Sequence, residues 1–440
     1  MKRNRLVSLA IAVVAICVMI TPSAGVINAE GTRTKVVFWH SMEDNLGEAV
    51  NMLVDGFNQS QDVYEVEAQY QGDYDTSLNK FKTSMISGQG PDMIQVYEIG
   101  TRFMSDCGLI RPVQEFIDRD GVDVSVTEKN ILNYYRFDGK LLSMPFNSSN
   151  PVLYYNADAF REVGLDPDSP PKNYDELNEY GLKLAGSGDS SDRVGMAFQA
   201  YGWYFEQSMV KLGLDMVDSG NGRAGVPTRA MFAENGGGEK IFAASKMLID
   251  SGAAVNYGGE NTNMFVTGKA AMVFSSTASL RGILGNVGDS FEVRTAFFPG
   301  VDPAVNNGVT LGGASLWMVE TGNEETQNGV FELMKYLIEP QNQADWHMAT
   351  GYYPINTLAY DLPIMTEHLT TLPQFQTAID QLHTSPETAL GAVFGVFTET
   401  RKIVETHWEM VLSGSETPEE AASAAEAETT KLLETYNKAN

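Results

Sequence analysis

Apolar positions in the first part of the chain switch repeatedly between the two-residue spacing of a strand and the wider spacing of a helix. The predicted elements are strands at residues 35–39, 63–70 and 93–96 and helices at residues 46–57 and 78–86. Strands that alternate with helices in this way indicate an α/β fold built on a mostly parallel sheet.

A second set of elements follows the turn Pro145–Ser149. Buried strands are predicted at residues 152–155, 270–274 and 312–319. A helix over Tyr174–Leu184 is introduced by Asn173, a residue type that favours the position before a helix. The α/β pattern therefore continues through the middle of the chain.

The last helix has the clearest start signal. Thr417, Pro418 and Glu420 combine a capping box with proline at the first helical position, so a helix is predicted from Pro418 to about Tyr436. The glycine run at residues 236–238 is interpreted as a loop within one domain.

The first 29 residues have the pattern of a secretory signal peptide. Basic residues at 2, 3 and 5 precede an apolar run from Leu6 to Ile20, which is shorter than the roughly 20 residues of a spanning helix. Cleavage is expected after Ala29, with an uncleaved anchor as the alternative. Cys17 is not expected to carry a lipid, because Ile16 before it is too bulky for that signal.

The remaining chain of about 410 residues can bury a large core and is long enough for two domains. We find no internal repeat and no linker long enough to separate independent domains. After loss of Cys17, the single Cys107 cannot form an internal disulfide, so the core must supply the stability.

The charge balance restricts the partners. The formal net charge is −27, and it becomes −30 when the three basic residues of the signal peptide are removed. Such a surface argues against nucleic acid and anionic membranes as partners. A small anionic ligand stays compatible, because a closed pocket responds to one arginine and a few N–H groups more than to distant charges.

Signatures of enzymes and metal sites are missing. The chain lacks the common hydrolase, zinc-protease and phosphate-loop motifs, and its five histidines show no metal-ligand spacing. We predict no catalytic residue, no metal and no cofactor, although a pair of glycosidase carboxylates would leave no motif.

Polar and aromatic residues stand instead at the predicted strand ends and turns. Tyr74 and Glu98 each follow a strand, Ser149 ends the Pro145–Ser149 turn, and Ser276 ends the strand at 270–274. Because ligands of α/β proteins bind outside the carboxyl ends of strands, these residues predict a crevice for a small polar solute.

Five short motifs occur in one order along the chain, namely Phe38–Glu43, Gln95–Glu98, Pro145–Ser149, Gly312–Trp317 and Trp346–Tyr352. Together they resemble the glycerol-3-phosphate-binding components of ABC importers, within the extracellular solute-binding family that includes maltose-binding proteins. The resemblance covers nearly all of the chain after the signal peptide.

This resemblance implies a periplasmic-binding-protein type of fold, with two α/β lobes and a ligand cleft between them. The first lobe would comprise residues 30–147 and 276–320, and the second residues 148–275 and 321–440. A monomer in the periplasm or outside the cell is expected, which delivers a small-molecule ligand to ABC permease subunits at the membrane.

The resemblance also implies a set of ligand-binding residues, namely Tyr74, Glu98, Ser149, Trp203, Ser276, Gly313, Tyr352 and Arg401. Tyr74 and Glu98 would contact the glycerol end, and Trp203 would place its ring against the ligand. Arg401, expected just before a helix at 404–414, would offer its charged fork to the phosphate. Neutral sugars should then bind poorly, because they would leave this arginine unpaired.

Several alternatives stay open. The ligand is glycerol 3-phosphate, a glycerophosphodiester or a sugar, and residues 193–263 depart from the family pattern. Taken alone, Arg401 would more often form a salt bridge with a nearby glutamate, and Ser149 and Ser276 would be turn residues. The rival from another class is a secreted hydrolase that uses Glu98 as acid or base.

Overall fold

The computed structural model describes residues 33–137, 139–186 and 192–439. The predicted signal peptide, its cleavage point and Cys17 lie outside these residues. No helix in the described part of the chain is both long and apolar enough to cross a membrane.

The strands of the described residues are β1 (Thr34–His40), β2 (Tyr64–Tyr70), β3 (Met93–Tyr97), β4 (Arg136–Phe137), β5 (Lys140–Leu141), β6 (Met144–Ser149), β7 (Pro151–Asn156), β8 (Val194–Phe198), β9 (Ala254–Asn256), β10 (Ala270–Ser276), β11 (Val293–Phe297) and β12 (Gly312–Met318).

The helices are α1 (Asp44–Ser60), α2 (Tyr74–Ser87), α3 (Thr101–Asp106), α4 (Val113–Asp120), α5 (Lys129–Tyr134), α6 (Ala157–Glu162), α7 (Tyr174–Leu184), α8 (Gly202–Leu212), α9 (Asp218–Asn221), α10 (Gly237–Asp250), α11 (Asn261–Val266), α12 (Leu280–Val287), α13 (Glu324–Leu337), α14 (Pro340–Thr350), α15 (Pro363–Thr371), α16 (Gln374–Thr384), α17 (Phe397–Leu412) and α18 (Pro418–Ala439).

Two five-stranded sheets form the centres of two lobes. The first sheet has the order β2-β1-β3-β12-β6, and the second has the order β11-β7-β10-β8-β9. Strands β1, β2 and β3 run parallel, whereas β12 runs antiparallel to both of its neighbours. The predicted fold, with two α/β lobes of the periplasmic-binding-protein type, is confirmed.

The chain passes from one sheet to the other within a few residues. Strand β6 ends the first sheet at Ser149, and β7 begins in the second sheet at Pro151. A second connection runs from Phe297, the last residue of β11, to Gly312, the first residue of β12. Residues at these connections therefore lie between the lobes.

The sheets differ from the expected lobe boundaries in two segments. Strand β11 pairs with β7 and completes an edge of the second sheet, although residues 276–320 are expected in the first lobe. Helices α13 and α14 pack against β1 and α1, although residues 321–440 are expected in the second lobe. The reason is burial, since Val330, Phe331 and Leu333 of α13 join the core of the first sheet.

Local start signals explain several element boundaries. The predicted helix at Tyr174–Leu184 is confirmed, and the Asn173 side chain accepts the N–H of Glu176. Thr417 and Glu420 form the reciprocal hydrogen bonds of a capping box before α18, as predicted.

Three local predictions are wrong. The segment Pro145–Ser149, expected as a turn, belongs to strand β6 and pairs with β12. Gly237 and Gly238 begin α10 instead of forming a loop, because Gly236 adopts a φ of 76° and turns the chain into the helix. The helix expected at 404–414 begins at Phe397, so that Arg401 lies inside α17 rather than before it.

Candidate functional site

A cavity of about 490 Å³ lies between the two lobes. It is bordered by the ends of strands from both sheets, by the first turn of α8 and by α17. All eight residues of the predicted ligand set line it, namely Tyr74, Glu98, Ser149, Trp203, Ser276, Gly313, Tyr352 and Arg401. The structure thus brings together residues that are spread over more than three hundred positions of the chain.

Arg401 lies at the wall of this cavity and is paired with two buried carboxylates. Its Nε and Nη2 donate to the two oxygens of Glu206 at 2.7 and 2.8 Å, and Nη2 also donates to Oε1 of Glu98 at 2.7 Å. The side chains of these three residues are all less than one-tenth exposed. Nη1 of Arg401 makes no hydrogen bond to any described residue.

The local sequence explains how these three side chains meet. Glu98 follows the last residue of β3, and Glu206 lies one turn after Trp203 on α8. Gly202 allows α8 to approach α17 closely, because a Cβ at this position would lie 2.4 Å from Cγ of Arg401. The glycine at the start of α8 is therefore required by the position of Arg401.

Burial and ion pairing have opposite effects on the pKa values of Arg401, Glu98 and Glu206. Burial raises the pKa of Glu206 to about 7 despite the opposing effect of Arg401. Burial also raises the pKa of Glu98, against the effects of Arg401 and of the Gly313 N–H. Burial lowers the pKa of Arg401, but Glu206 and Glu98 more than compensate and hold it well above its ordinary value. With both carboxylates ionised, the group carries one net negative charge.

This pairing changes the expected role of Arg401. We expected its fork to be available for a phosphate, so that a neutral ligand would leave it unpaired. The structure instead satisfies Nε and Nη2 with Glu206 and Glu98, and only Nη1 is left without a protein acceptor among the described residues. The predicted penalty against neutral sugars therefore loses its main basis.

Aromatic rings form much of the remaining wall. Tyr74, the first residue of α2, stacks on Tyr97 with a centroid distance of 5.1 Å, and its hydroxyl accepts from Asn147. Tyr201 and Trp203 meet edge to face, with centroids 6.3 Å apart. The buried Trp203 Nε1–H has no acceptor among the described residues. Aromatic ring surface is thus available to a ligand, whereas the Trp203 Nε1–H is buried beside Gly312.

The other predicted residues are held by local contacts. Tyr352 stacks on Trp346 with a centroid distance of 5.5 Å. The Ser276 hydroxyl accepts the N–H of Ala278, which is the turn role considered for this residue from the sequence. Gly313 has a φ of 89°, and a Cβ there would lie 1.9 Å from the carbonyl oxygen of Asn147. Only glycine fits this pairing of β12 with β6.

Sequence reasoning missed Glu206, which makes more hydrogen bonds to Arg401 than Glu98 does. A signal was present, because a helix that starts at Gly202 places Glu206 on the same face as Trp203. It also missed Tyr97 and Tyr201, whose ring centroids lie 5.9 and 5.7 Å from the guanidinium carbon of Arg401. Tyr97 directly precedes Glu98, and Tyr201 lies two positions before Trp203, so both stand close to predicted site residues.

The fold and this cavity agree with a family comparison. Residues 52–377 match the model of the bacterial extracellular solute-binding proteins, and the chain belongs to this family. It is therefore an extracytoplasmic solute-binding protein of the ABC-importer type.

One relative and two solved structures are similar to the chain over nearly its whole length. The sn-glycerol-3-phosphate-binding periplasmic protein UgpB of Salmonella typhimurium is 34% identical over 417 residues, which are 92% of this chain and 94% of that protein. The structure of UgpB from Mycobacterium tuberculosis in complex with glycerophosphocholine matches with a TM-score of 0.74 at 23% identity, over 92% of this chain and 100% of that one. The GacH receptor of Streptomyces glaucescens, solved unliganded and with acarbose, matches with a TM-score of 0.75 at 19% identity, over 91% and 99% of the two chains.

Proposed function

We propose that this protein binds a glycerol phosphate compound between its lobes and presents it to an ABC importer in the closed state. The relatives at 34% identity are named for sn-glycerol 3-phosphate, and the cavity residues include a partly unused guanidinium beside hydroxyl and amide groups. The eight predicted residues are the proposed contacts, and Glu206 joins them as the residue that fixes Arg401.

The pairing of Arg401 with two carboxylates determines which class of glycerol phosphate we propose as the ligand. A phosphomonoester brings a charge of about −1.5 to −2 at neutral pH, whereas a phosphodiester brings one negative charge. Because Arg401, Glu98 and Glu206 carry one net negative charge when both carboxylates are ionised, the second charge of a monoester would be repelled. The site therefore favours a glycerophosphodiester over glycerol 3-phosphate.

The size and walls of the cavity support the same choice. About 490 Å³ is ample for a glycerol phosphate that carries a further head group. The rings of Trp203 and Tyr201 would suit a cationic head group, since aromatic rings attract quaternary ammonium ions. Glycerophosphocholine, the compound in the complex of UgpB from Mycobacterium tuberculosis, combines these features.

One observation favours a second candidate, a sugar-binding protein. Arg401 is satisfied by protein carboxylates, and exposed ring faces and acidic oxygens are the usual contacts of neutral sugars. The glycerophosphodiester stays the first proposal, because the relatives with the higher identity are named for a glycerol phosphate.

Thermal unfolding with and without ligand tests both proposals. A ligand present at 100 times its dissociation constant stabilises the folded protein by about 2.7 kcal/mol and measurably raises the midpoint of thermal unfolding. We expect the largest rise of the unfolding midpoint with glycerophosphocholine and a smaller rise with glycerol 3-phosphate. Glycerol and maltose should cause no rise. A shift from maltose alone would establish the sugar candidate, and a larger shift from glycerol 3-phosphate would contradict the diester preference.

We further propose that binding occurs without turnover. Oε1 of Glu98 accepts from Arg401, and both oxygens of Glu206 do so as well, so that neither carboxylate is placed as an independent acid or base. Incubation with glycerophosphocholine should release no choline and no glycerol 3-phosphate. Release that depends on Glu98 would establish the hydrolase alternative instead.

A further inference from the structure

A second cavity, of about 650 Å³, lies on the second lobe and shares no lining residue with the cavity between the lobes. It is bordered by the segment before α7, the end of β11, the following loop and α16. At its wall lies Lys211, near the end of α8.

Lys211 is a buried cation with a neutral partner. The residue is 6% exposed, and its Nζ donates to Oδ1 of Asn306 at 3.0 Å. It forms no ion pair with any of the described residues, and burial alone lowers its pKa to about 8. An ammonium group that is withdrawn from water without a counter-charge is costly, which makes it a strong binding group for an anion.

The acidic residues at the rim of the cavity do not act as counter-charges for Lys211. Glu176 accepts from the N–H of Lys172, Asp302 accepts from the N–H of Ala304 and pairs with Lys240, and Asp380 accepts from a glutamine on its own helix. All of these carboxylates have other partners and none pairs with Lys211. The buried charge of the cavity is therefore positive, in a chain whose net charge is −27.

The same cavity exposes large apolar side chains. Phe297 is 40% exposed and Val305 is 38% exposed, whereas the neighbouring Phe298 is buried. Pro170 and Pro171 lie on the wall with them. A wall of this kind, with one buried donor group, is the usual composition of a site for a small organic ligand.

We propose that this cavity is a second ligand site, which binds a small organic anion with an apolar body. The carboxylate or phosphate group of the ligand accepts from Lys211 and from the Asn306 amide. The apolar body lies against Phe297 and Val305. An anion at Lys211 would also stabilise its charged form, because it supplies the counter-charge that the described residues do not.

Fluorine NMR with three matched probes tests the proposal on the full mature protein. The probes are 4-fluorophenylacetate, 4-fluorobenzyl alcohol and 4-fluorophenethylamine, which share the ring and differ in charge. We expect the anion to bind at least about tenfold more tightly than the alcohol or the amine. Equal binding of the three probes, or no binding of the anion, would overturn the proposal.

Variants locate the bound anion. Lys211→Met should weaken binding of 4-fluorophenylacetate by about tenfold or more, whereas Lys172→Met, which removes the same charge at the exposed rim, should change it less than about threefold. Val305→Asp should also weaken binding, because it places a competing carboxylate on the same wall while Lys211 itself is kept. Unchanged binding in Lys211→Met and Val305→Asp would place the anion elsewhere and contradict the proposal.

Discussion

Helix α8 is buried along its whole length and carries one charged side chain near each cavity. Glu206 does not line the cavity between the lobes but lies behind its wall, where it shares Arg401 with Glu98. Lys211, five positions later, lies at the other cavity with an amide oxygen as its partner. The same helix thus borders one site where a buried cation has two counter-charges and another where a buried cation has none among the described residues.

The difference shows that burial alone does not decide what a charged residue contributes. Pairing raises the pKa of Arg401 above its ordinary value despite burial, whereas unrelieved burial lowers that of Lys211 to about 8. Removing a paired buried charge leaves its partners unpaired, but removing an unpaired one relieves a cost. Replacing each cation by methionine should therefore change stability in opposite directions.

Arg401→Met should have the largest effect. It leaves Glu98 and Glu206 buried beside each other without a cation, which costs about 3–5 kcal/mol of unfolding free energy. The loss should shrink between pH 8 and pH 5, because the pKa of Glu206 is raised to about 7 and this carboxyl becomes neutral as the pH falls. The pKa of Glu98 is also raised, which acts in the same direction. Urea unfolding at the two pH values measures this.

The matched control for Arg401→Met is Lys402→Met, one residue further along α17. Lys402 pairs with Asp75, and its side chain is 60% exposed, so this change should cost about 1 kcal/mol or less. Equal losses in the two variants, with no dependence on pH, would show that the buried pairs do not stabilise the native state.

Glu206→Gln should have an intermediate effect, on ligand binding. In the native protein a bound anion favours the protonated form of Glu206, so affinity should rise as the pH falls through the pKa of about 7. We expect up to about a tenfold gain for glycerophosphocholine between pH 8 and pH 6, since one proton is involved. Calorimetric titration of Glu206→Gln should show high affinity at both pH values.

Glu43→Gln is the control for this pH dependence. Glu43 lines the same cavity at an exposed position and accepts from Tyr70, without contact to Arg401. Its removal changes the charge of the cavity by the same amount but should leave the pH dependence intact. If Glu206→Gln retained the pH dependence and Glu43→Gln removed it, the titrating group would be at the rim.

The contrast along α8 also marks the limit of sequence reasoning. Strand and helix positions follow from apolar spacing, and the eight predicted residues all line one cavity. Glu98, Ser149 and Ser276 do so from strand ends, whereas Trp203 and Arg401 do so from helices α8 and α17. Glu206 and Lys211 lie in the segment that departs from the family pattern, and their roles depend on Arg401 and Asn306, which are distant in sequence. The spacing of Trp203 and Glu206 indicates a shared helix face, but no local spacing identifies partners as distant in sequence as Arg401 and Asn306.

The lobe boundaries differ from expectation for a related reason. A short strand such as β11 can complete either sheet, and its pairing with β7 depends on the three-dimensional path of the chain. The apolar face of α13 likewise gives no indication of which sheet it covers.

Lys211→Met should have the smallest effect, with the opposite sign to Arg401→Met. Because the pKa of Lys211 is lowered from 10.5 to about 8, the unfolded state holds this proton more tightly than the native state does. The cost is present below about pH 8 and disappears as the pH rises toward 10.5. At pH 7 the variant should be more stable than the native protein by up to about 1 kcal/mol, since the lost hydrogen bond to Asn306 offsets part of the gain. This difference in stability should disappear near pH 10.

The control is Lys172→Met, which removes an exposed lysine from the same rim and should show no such difference. Destabilisation of Lys211→Met at pH 7 would mean that the native protein stabilises this ammonium group, and the two ends of α8 would then be alike.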